Sequence, residues 1–174
     1  MAPTSYQPPT RGDKADTATY SQTVESNLAH SQSTVAKLLE GKGDAIFSVR
    51  PGDTIGHVVG VLKEKRIGAV VVTDQNGTLQ GILSERDIVR RMADTPGQTL
   101  PQQVEALMTK SVRTCTPEDT LMDVLKTMTE GRFRHMPVVK DGNLCGMITI
   151  GDVVNFRLRE LEYEALRMKQ MIVG

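Results

Sequence analysis

From residue 46 onward the chain repeats itself, and a chain made of two copies of one unit must fold as two similar structures in tandem. Pro51, Asp53 and Thr54 recur 66 positions later as Pro117, Asp119 and Thr120, and Arg66-Ile67 recurs as Arg132-Phe133. The offset falls to 65 at Gly81 and Gly146. A loop one residue shorter in the second copy, Lys140-Asp141-Gly142-Asn143 against Thr73-Asp74-Gln75-Asn76-Gly77, accounts for the change. Asn76-Gly77 and Asp141-Gly142 are hairpin signals, because the favoured two-residue turn needs positive φ at both central positions.

Each copy predicts the order β-α-β-β-α. A short strand (46–49; 112–115) leads through Pro to a helix with apolar residues at helical spacing: Ile55, Val58, Val59, Leu62 in one copy and Leu121, Val124, Leu125, Met128 in the other. A strand of branched residues follows (69–72; 137–139), then the hairpin, a second strand (79–83; 144–148) and a second helix from Glu85 or Ile150. One unit of about 60 residues has too little interior to be comfortable alone, so two packed sheet against sheet are expected. Ahead of the repeat, residues 1–32 are rich in Ser, Thr, Gln and Pro and predict a flexible arm. Ser33 or Thr34 then caps a short helix ending near Gly41. At the other end, Val154, Leu158, Leu161, Ala165, Met168 and Ile172 form a heptad stripe. Its first part is expected to cover the sheet. Beyond Arg159 the helix projects, and an exposed stripe there wants a second copy of the chain.

Composition narrows the function. Lys plus Arg (21) balance Asp plus Glu (21), which argues against nucleic-acid binding through bulk charge. No apolar run reaches the roughly 18 residues of a membrane span. The first 20 residues hold no signal-peptide core and carry Asp13 and Asp16, so the cytoplasm is the expected compartment. Two cysteines, Cys115 and Cys145, make neither a disulfide scaffold nor a zinc site, and both read as packing residues. No nucleophile with its base, metal triad or phosphate loop with Lys is present, so no catalytic or metal-binding residue is expected.

The chemistry lies where the second helices begin. Gly81-Ile82-Leu83-Ser84-Glu85-Arg86-Asp87 matches Gly146-Met147-Ile148-Thr149-Ile150-Gly151-Asp152. A hydroxyl residue followed three positions later by Asp is a capping box, which ties up free helix-end amides. The same Asp, at the positive end of a helix, can also accept from two vicinal hydroxyls such as those of a ribose. The glycine ahead of it leaves room for a ring to approach the backbone.

These tandem units, Gly-Ala-Val-Val-Val at 68–72, Gly-Arg-Phe-Arg-His-Met-Pro-Val-Val at 131–139 and the two G-h-h-[ST]-x-x-D segments closely resemble a pair of CBS (cystathionine β-synthase) domains, a Bateman module. The likeness covers residues 34–160 and implies an α/β (α+β) fold of two motifs related by a pseudo-twofold axis. The implied division is an arm at 1–32, a first motif with its leading helix at 33–100, a second motif at 101–160, and a helical extension at 161–174. The implied function is a non-enzymatic sensor whose clefts hold AMP, ADP, ATP, NAD(H) or S-adenosylmethionine, in a homodimer that acts on a further protein. The alternatives are a constitutive interaction scaffold with vestigial clefts, or a regulator of thiol-redox partners.

Transferred residue by residue, Asp87 and Asp152 would bind ribose, with Ser84 and Thr149 beside the sugar-phosphate. Adenine would lie near Val112, Thr114, Thr116, Met136 and Pro137 in the second motif, and Ile46, Ser48, Gly68, Ala69 and Val70 in the first. By the same resemblance Arg132, Arg134 and His135 would form an anion clamp, whereas the first copy offers only Arg66. The second-motif cleft is therefore expected to bind better, and Asp152→Ala to cost more than Asp87→Ala. Arg86, Arg90 and Arg91 lie on the second helix of the first copy, where an exposed helical face is expected and a supplement to either cleft is the alternative.

Overall fold

The computed structural model describes residues 33–43 and 45–173; the arm expected over residues 1–32 lies outside them. Helix α1 (Val35–Lys42) precedes the first repeat, which comprises β1 (Ser48–Val49), α2 (Ile55–Lys65), β2 (Ala69–Thr73), β3 (Leu79–Ser84) and α3 (Glu85–Asp94). A 3-10 turn at Val104–Ala106 leads to the second repeat: α4 (Leu121–Gly131), β4 (His135–Lys140), β5 (Asn143–Thr149) and α5 (Ile150–Val173).

Strands β2 and β3 pair antiparallel, with Val70 opposite Leu83 and Val72 opposite Gly81, and β1 joins β2 in parallel. In the second repeat β4 and β5 pair the same way, with Met136 opposite Ile148 and Val138 opposite Gly146. The strand expected at 112–115 shrinks to one parallel bridge, Cys115 to Val138. That bridge is the repeat equivalent of Val49 opposite Val72. The strand expected from Ile46 likewise begins only at Ser48.

Two cores follow the repeat residue for residue. Val49, Ile55, Val58, Leu62, Val70, Val72, Leu83 and Ile88 fill the first. Cys115, Leu121, Val124, Met128, Met136, Val138, Ile148 and Val153 fill the second. Val59, expected inside, is exposed. Strand β2 is buried on both faces. Alternate side chains point to opposite faces, so a strand of this kind needs cover on each. One cover is its own core. At the other face the second repeat approaches: a Cβ placed on Gly68 would lie 3.2 Å from the His135 ring.

Chain order misleads about α1. Val35 and Leu38 belong to the second core, while Val104, Leu107 and Met108 pack with the first. Each leading segment therefore crosses to the other repeat and completes the helix it meets. The Leu121 amide donates to the Ser33 carbonyl (2.9 Å) and the Ile55 amide to the Gln102 carbonyl (2.9 Å). These satisfy amides that helix starts leave without an intrahelical partner.

Both repeated glycines of the G-h-h-[ST] segments serve this crossing. A Cβ at Gly81 would meet Met108 Sδ at 2.7 Å, and one at Gly146 would meet Leu39 at 3.0 Å. The space expected for a ligand ring is filled by protein. The hairpins also differ: Asp141 (φ 50°) and Gly142 (φ 80°) both sit at positive φ, whereas in the first loop only Gly77 does. There Asp74 organises the turn, accepting from the amides of Asn76 and Thr78 at 2.9 Å each.

The sheet-covering face of α5 is Val153 with Ile150 and Phe156. Val154 and Leu158, expected to cover the sheet, are exposed. The whole heptad stripe faces away from the core. Among the described residues, no helix is long and apolar enough to cross a membrane.

Candidate functional site

Strand β3 ends at Ser84, which adopts extended backbone (φ −113°, ψ 160°), and α3 starts at the next residue. The Asp87 carboxylate turns back onto this junction: its Oδ2 accepts from the Ser84 amide (3.1 Å) and hydroxyl (2.6 Å). The Glu85 amide donates to the Gly68 carbonyl at 3.0 Å, tying the helix start to the head of β2. The second repeat is built alike. Asp152 Oδ2 accepts from the Thr149 amide and hydroxyl at 2.8 Å each, and the Ile150 amide donates to the Arg134 carbonyl at 3.1 Å. Both capping arrangements are thus real, and each occupies one carboxylate oxygen.

The surroundings of the two carboxylates differ. Asp87 lines a cavity of about 440 Å³ between the repeats. Its apolar wall is Ile82, Val112 and Phe133, with Gly68, Thr109 and Ser111 beside them. Arg86 and Arg90 enter from α3, Arg113 from the segment after the 3-10 turn, and Arg132, Arg134 and His135 from the turn into β4. Five arginines thus line the cavity with the carboxylates of Glu85 and Asp87, an excess of positive charge added to the positive end of a helix. Arg132 closes α4 in the left-handed conformation (φ 56°), and its carbonyl accepts from Arg86 Nη1 at 3.3 Å, so α3 and the turn into β4 are linked directly.

Asp152 meets a cation of the chain itself. Lys42, at the end of α1, donates from Nζ to Asp152 Oδ2 (2.5 Å) and to the Met147 carbonyl (2.8 Å). His135 lies among these groups. Burial, and next the Lys42 charge, hold its imidazole below the ordinary value, with Arg134 adding to the effect and Asp152 and Glu85 opposing it.

Of the residues singled out in sequence, the cavity gathers Gly68, Ser84, Asp87, Val112, Arg132, Arg134 and His135. Ile46, Ser48, Ala69, Thr114, Thr116, Met136, Pro137, Thr149 and Asp152 do not line it. Met136 and Pro137 are buried in β4, Ala69 is buried in β2, and the Thr116 amide is engaged by Asp119 at 2.7 Å. The turn into β4 of the second repeat therefore lines one cavity with the carboxylate of the first, whereas the sequence groups Arg132, Arg134 and His135 with Asp152. Arg113 and Phe133 were missed. Arg86 and Arg90 are exposed on α3, as expected, and also line the cavity, the alternative the sequence leaves open; they are four apart, on one side of the helix beside Asp87. Among the described residues, no cluster of three or more His, Cys, Asp or Glu side chains could hold a metal ion.

The CBS domain family model matches residues 44–94 and 104–159, the two repeats. The chain belongs to the CBS-domain proteins. A CBS-domain-containing protein of known crystal structure from Agrobacterium tumefaciens is 44% identical, covers 72% of this chain and 99% of its own, and superposes with a TM-score of 0.70. A mitochondrial CBS domain-containing protein of Arabidopsis thaliana is 33% identical over 126 residues, 70% of this chain. The match spans only 61% of that longer relative. A CBS domain pair solved in complex with 5′-methylthioadenosine and S-adenosyl-L-methionine shares the fold at 21% identity, covering 74% of this chain and 98% of its own, with a TM-score of 0.66.

Proposed function

We propose that this CBS pair is a regulatory module that binds a phosphorylated adenosine nucleotide in the Asp87 cavity and reports its presence through the arrangement of the repeats. The observation that carries the reading is the convergence of five arginines on a cavity that also holds an acidic helix cap. Asp87 makes its capping bonds through Oδ2, which leaves Oδ1 for the ribose diol. Ile82, Val112 and Phe133 offer the base an apolar wall, and Arg113, Arg132 and Arg134 take the phosphates as charge-assisted donors. That a CBS domain pair of this fold was solved in complex with 5′-methylthioadenosine and S-adenosyl-L-methionine supports the base and sugar part of the assignment. The charge refines it: AMP, ADP, ATP and NAD(H) suit five guanidinium groups, whereas the sulfonium of S-adenosylmethionine is repelled by them.

Because α3 and the β4 loop contribute from different repeats, a ligand held by both favours one relative placement of the two, and that difference in affinity is the signal. We assign the output to a homodimer joined along the exposed α5 stripe and acting on a further protein. Two unpaired thiols, Cys115 and Cys145, fit a reducing compartment, and we assign the cytoplasm. The exposed stripe also suits a scaffold that needs no ligand. A thermal-shift panel with AMP, ATP, NADH and S-adenosylmethionine decides between them. The nucleotides are expected to raise the melting temperature and S-adenosylmethionine to leave it unchanged. An unchanged curve for every compound at millimolar concentration supports the scaffold.

A further inference from the structure

The internal repeat makes each half a control for the other. The leading segments correspond at an offset of 69: Ser33 with Gln102, Val35 with Val104, and Leu39 with Met108 over the two glycines. Immediately afterwards the correspondence breaks. In the first half the chain straightens, and Thr109 exchanges backbone hydrogen bonds with Ile82 at 2.9 and 3.1 Å. In the second half α1 continues as helix, and the Lys42 ammonium donates to the carbonyl of Met147, the repeat equivalent of Ile82. The same ammonium sits on Asp152, the equivalent of Asp87.

The other cations are also unequal. Arg86, Arg90, Arg113 and Arg134 correspond to Gly151, Asn155, Phe47 and Gly68; only Arg132 keeps a cation, Arg66. We infer that Lys42 is the residue that makes the two clefts unequal: its ammonium pairs with the Asp152 carboxylate on the Oδ2 that the cap also uses and ties it to the Met147 carbonyl, which neutralises the charge a ribose diol would need, so the chain holds one nucleotide, at Asp87, and the Asp152 cleft stays shut. This rests on the reading of Asp87 given above. The closure is a side-chain contact on the surface of α1, with the Lys42 side chain 33% and that of Asp152 25% exposed, so it can be removed without opening a core. Once removed, the Asp152 cleft retains a capped carboxylate but one arginine in place of five. It then suits an uncharged nucleoside and not a triphosphate.

Equilibrium dialysis of the full chain with labelled ATP and labelled adenosine tests this. Expected are one ATP per chain in wild type, no change in ATP stoichiometry or affinity in Asp152→Asn, loss of ATP binding in Asp87→Asn, and a second bound adenosine only in Lys42→Ala. Two ATP per wild-type chain, weaker ATP binding by more than twofold in Asp152→Asn, or a single adenosine in Lys42→Ala would overturn the role of Lys42 while leaving the Asp87 reading standing. Wild type that binds no ATP overturns both.

Discussion

Asp87 does two jobs through two oxygens, and the substitutions that separate them differ. Asp87→Asn keeps the side-chain shape and a cap-competent oxygen but loses the charge. Asp87→Ala also loses the cap, which typically costs about 1 kcal/mol. Both are expected to abolish most of the ATP-induced rise in melting temperature, measured against each variant's own ligand-free value, and Asp87→Ala alone to lower that value clearly. His135 supplies a pH handle. Its folded-state value lies below the ordinary 6.5, first because of burial and next because of Lys42. As pH falls through about 6.5 the unfolded chain takes up a proton there that the folded chain does not, so stability declines from pH 6.5 downward until the lower folded value is passed. Urea titrations between pH 7.5 and 5.5 are expected to show that decline, and His135→Gln to flatten it. Cys115 gives the opposite lesson. Burial, with the Asp119 charge adding to it, pushes its thiol up to about 12, so at neutral pH it is not the thiolate that reacts. Iodoacetamide at pH 8 is expected to leave Cys115 unmodified in the folded protein and to label it in urea. Fast labelling under native conditions would revive a thiol-based role.

At the scale of elements, α5 carries the strongest unspent signal. Its stripe is open along its length: Leu158 is 53% and Ile172 83% exposed. In heptad terms Val154, Leu161 and Met168 occupy d positions, and Leu158, Ala165 and Ile172 occupy a. Across a parallel seam Arg157 would face Glu162 and Glu164 would face Lys169, opposite charges in both cases. Light scattering is expected to find a dimer, and Leu158→Asp with Leu161→Asp to yield a folded monomer, because neither side chain supports its own core. A wild-type monomer would return the stripe to some other partner. The helix that covers the second sheet could be read from sequence, but the face it uses could not: two overlapping apolar stripes run along its first turns, and helical periodicity ranks them equally. Which of Val153 and Val154 turns inward follows from where β5 delivers the chain into the helix.

For the molecule as a whole, ligand binding and stability are linked by mass action. A ligand at a hundred times its dissociation constant stabilises the native state by about 2.7 kcal/mol. For a domain of this size that corresponds to a rise of about 5 to 10 °C in melting temperature. The panel described above is expected to show a shift of that order for its best nucleotide, and Lys42→Ala to leave the ATP shift intact. The repeat, the β-α-β-β-α order and both capped aspartates were determined by the sequence alone, because they depend on periodicity, turn residues and side-chain chemistry within a few positions. Three things were decided only by the tertiary structure: that the leading segments cross over, that Arg132 and Arg134 join Asp87 instead of Asp152, and that Lys42 covers the other carboxylate. Each brings together residues far apart in the chain, and two near-identical copies offer the same local pattern for either pairing. Only the packing of both repeats around the buried strands selects one.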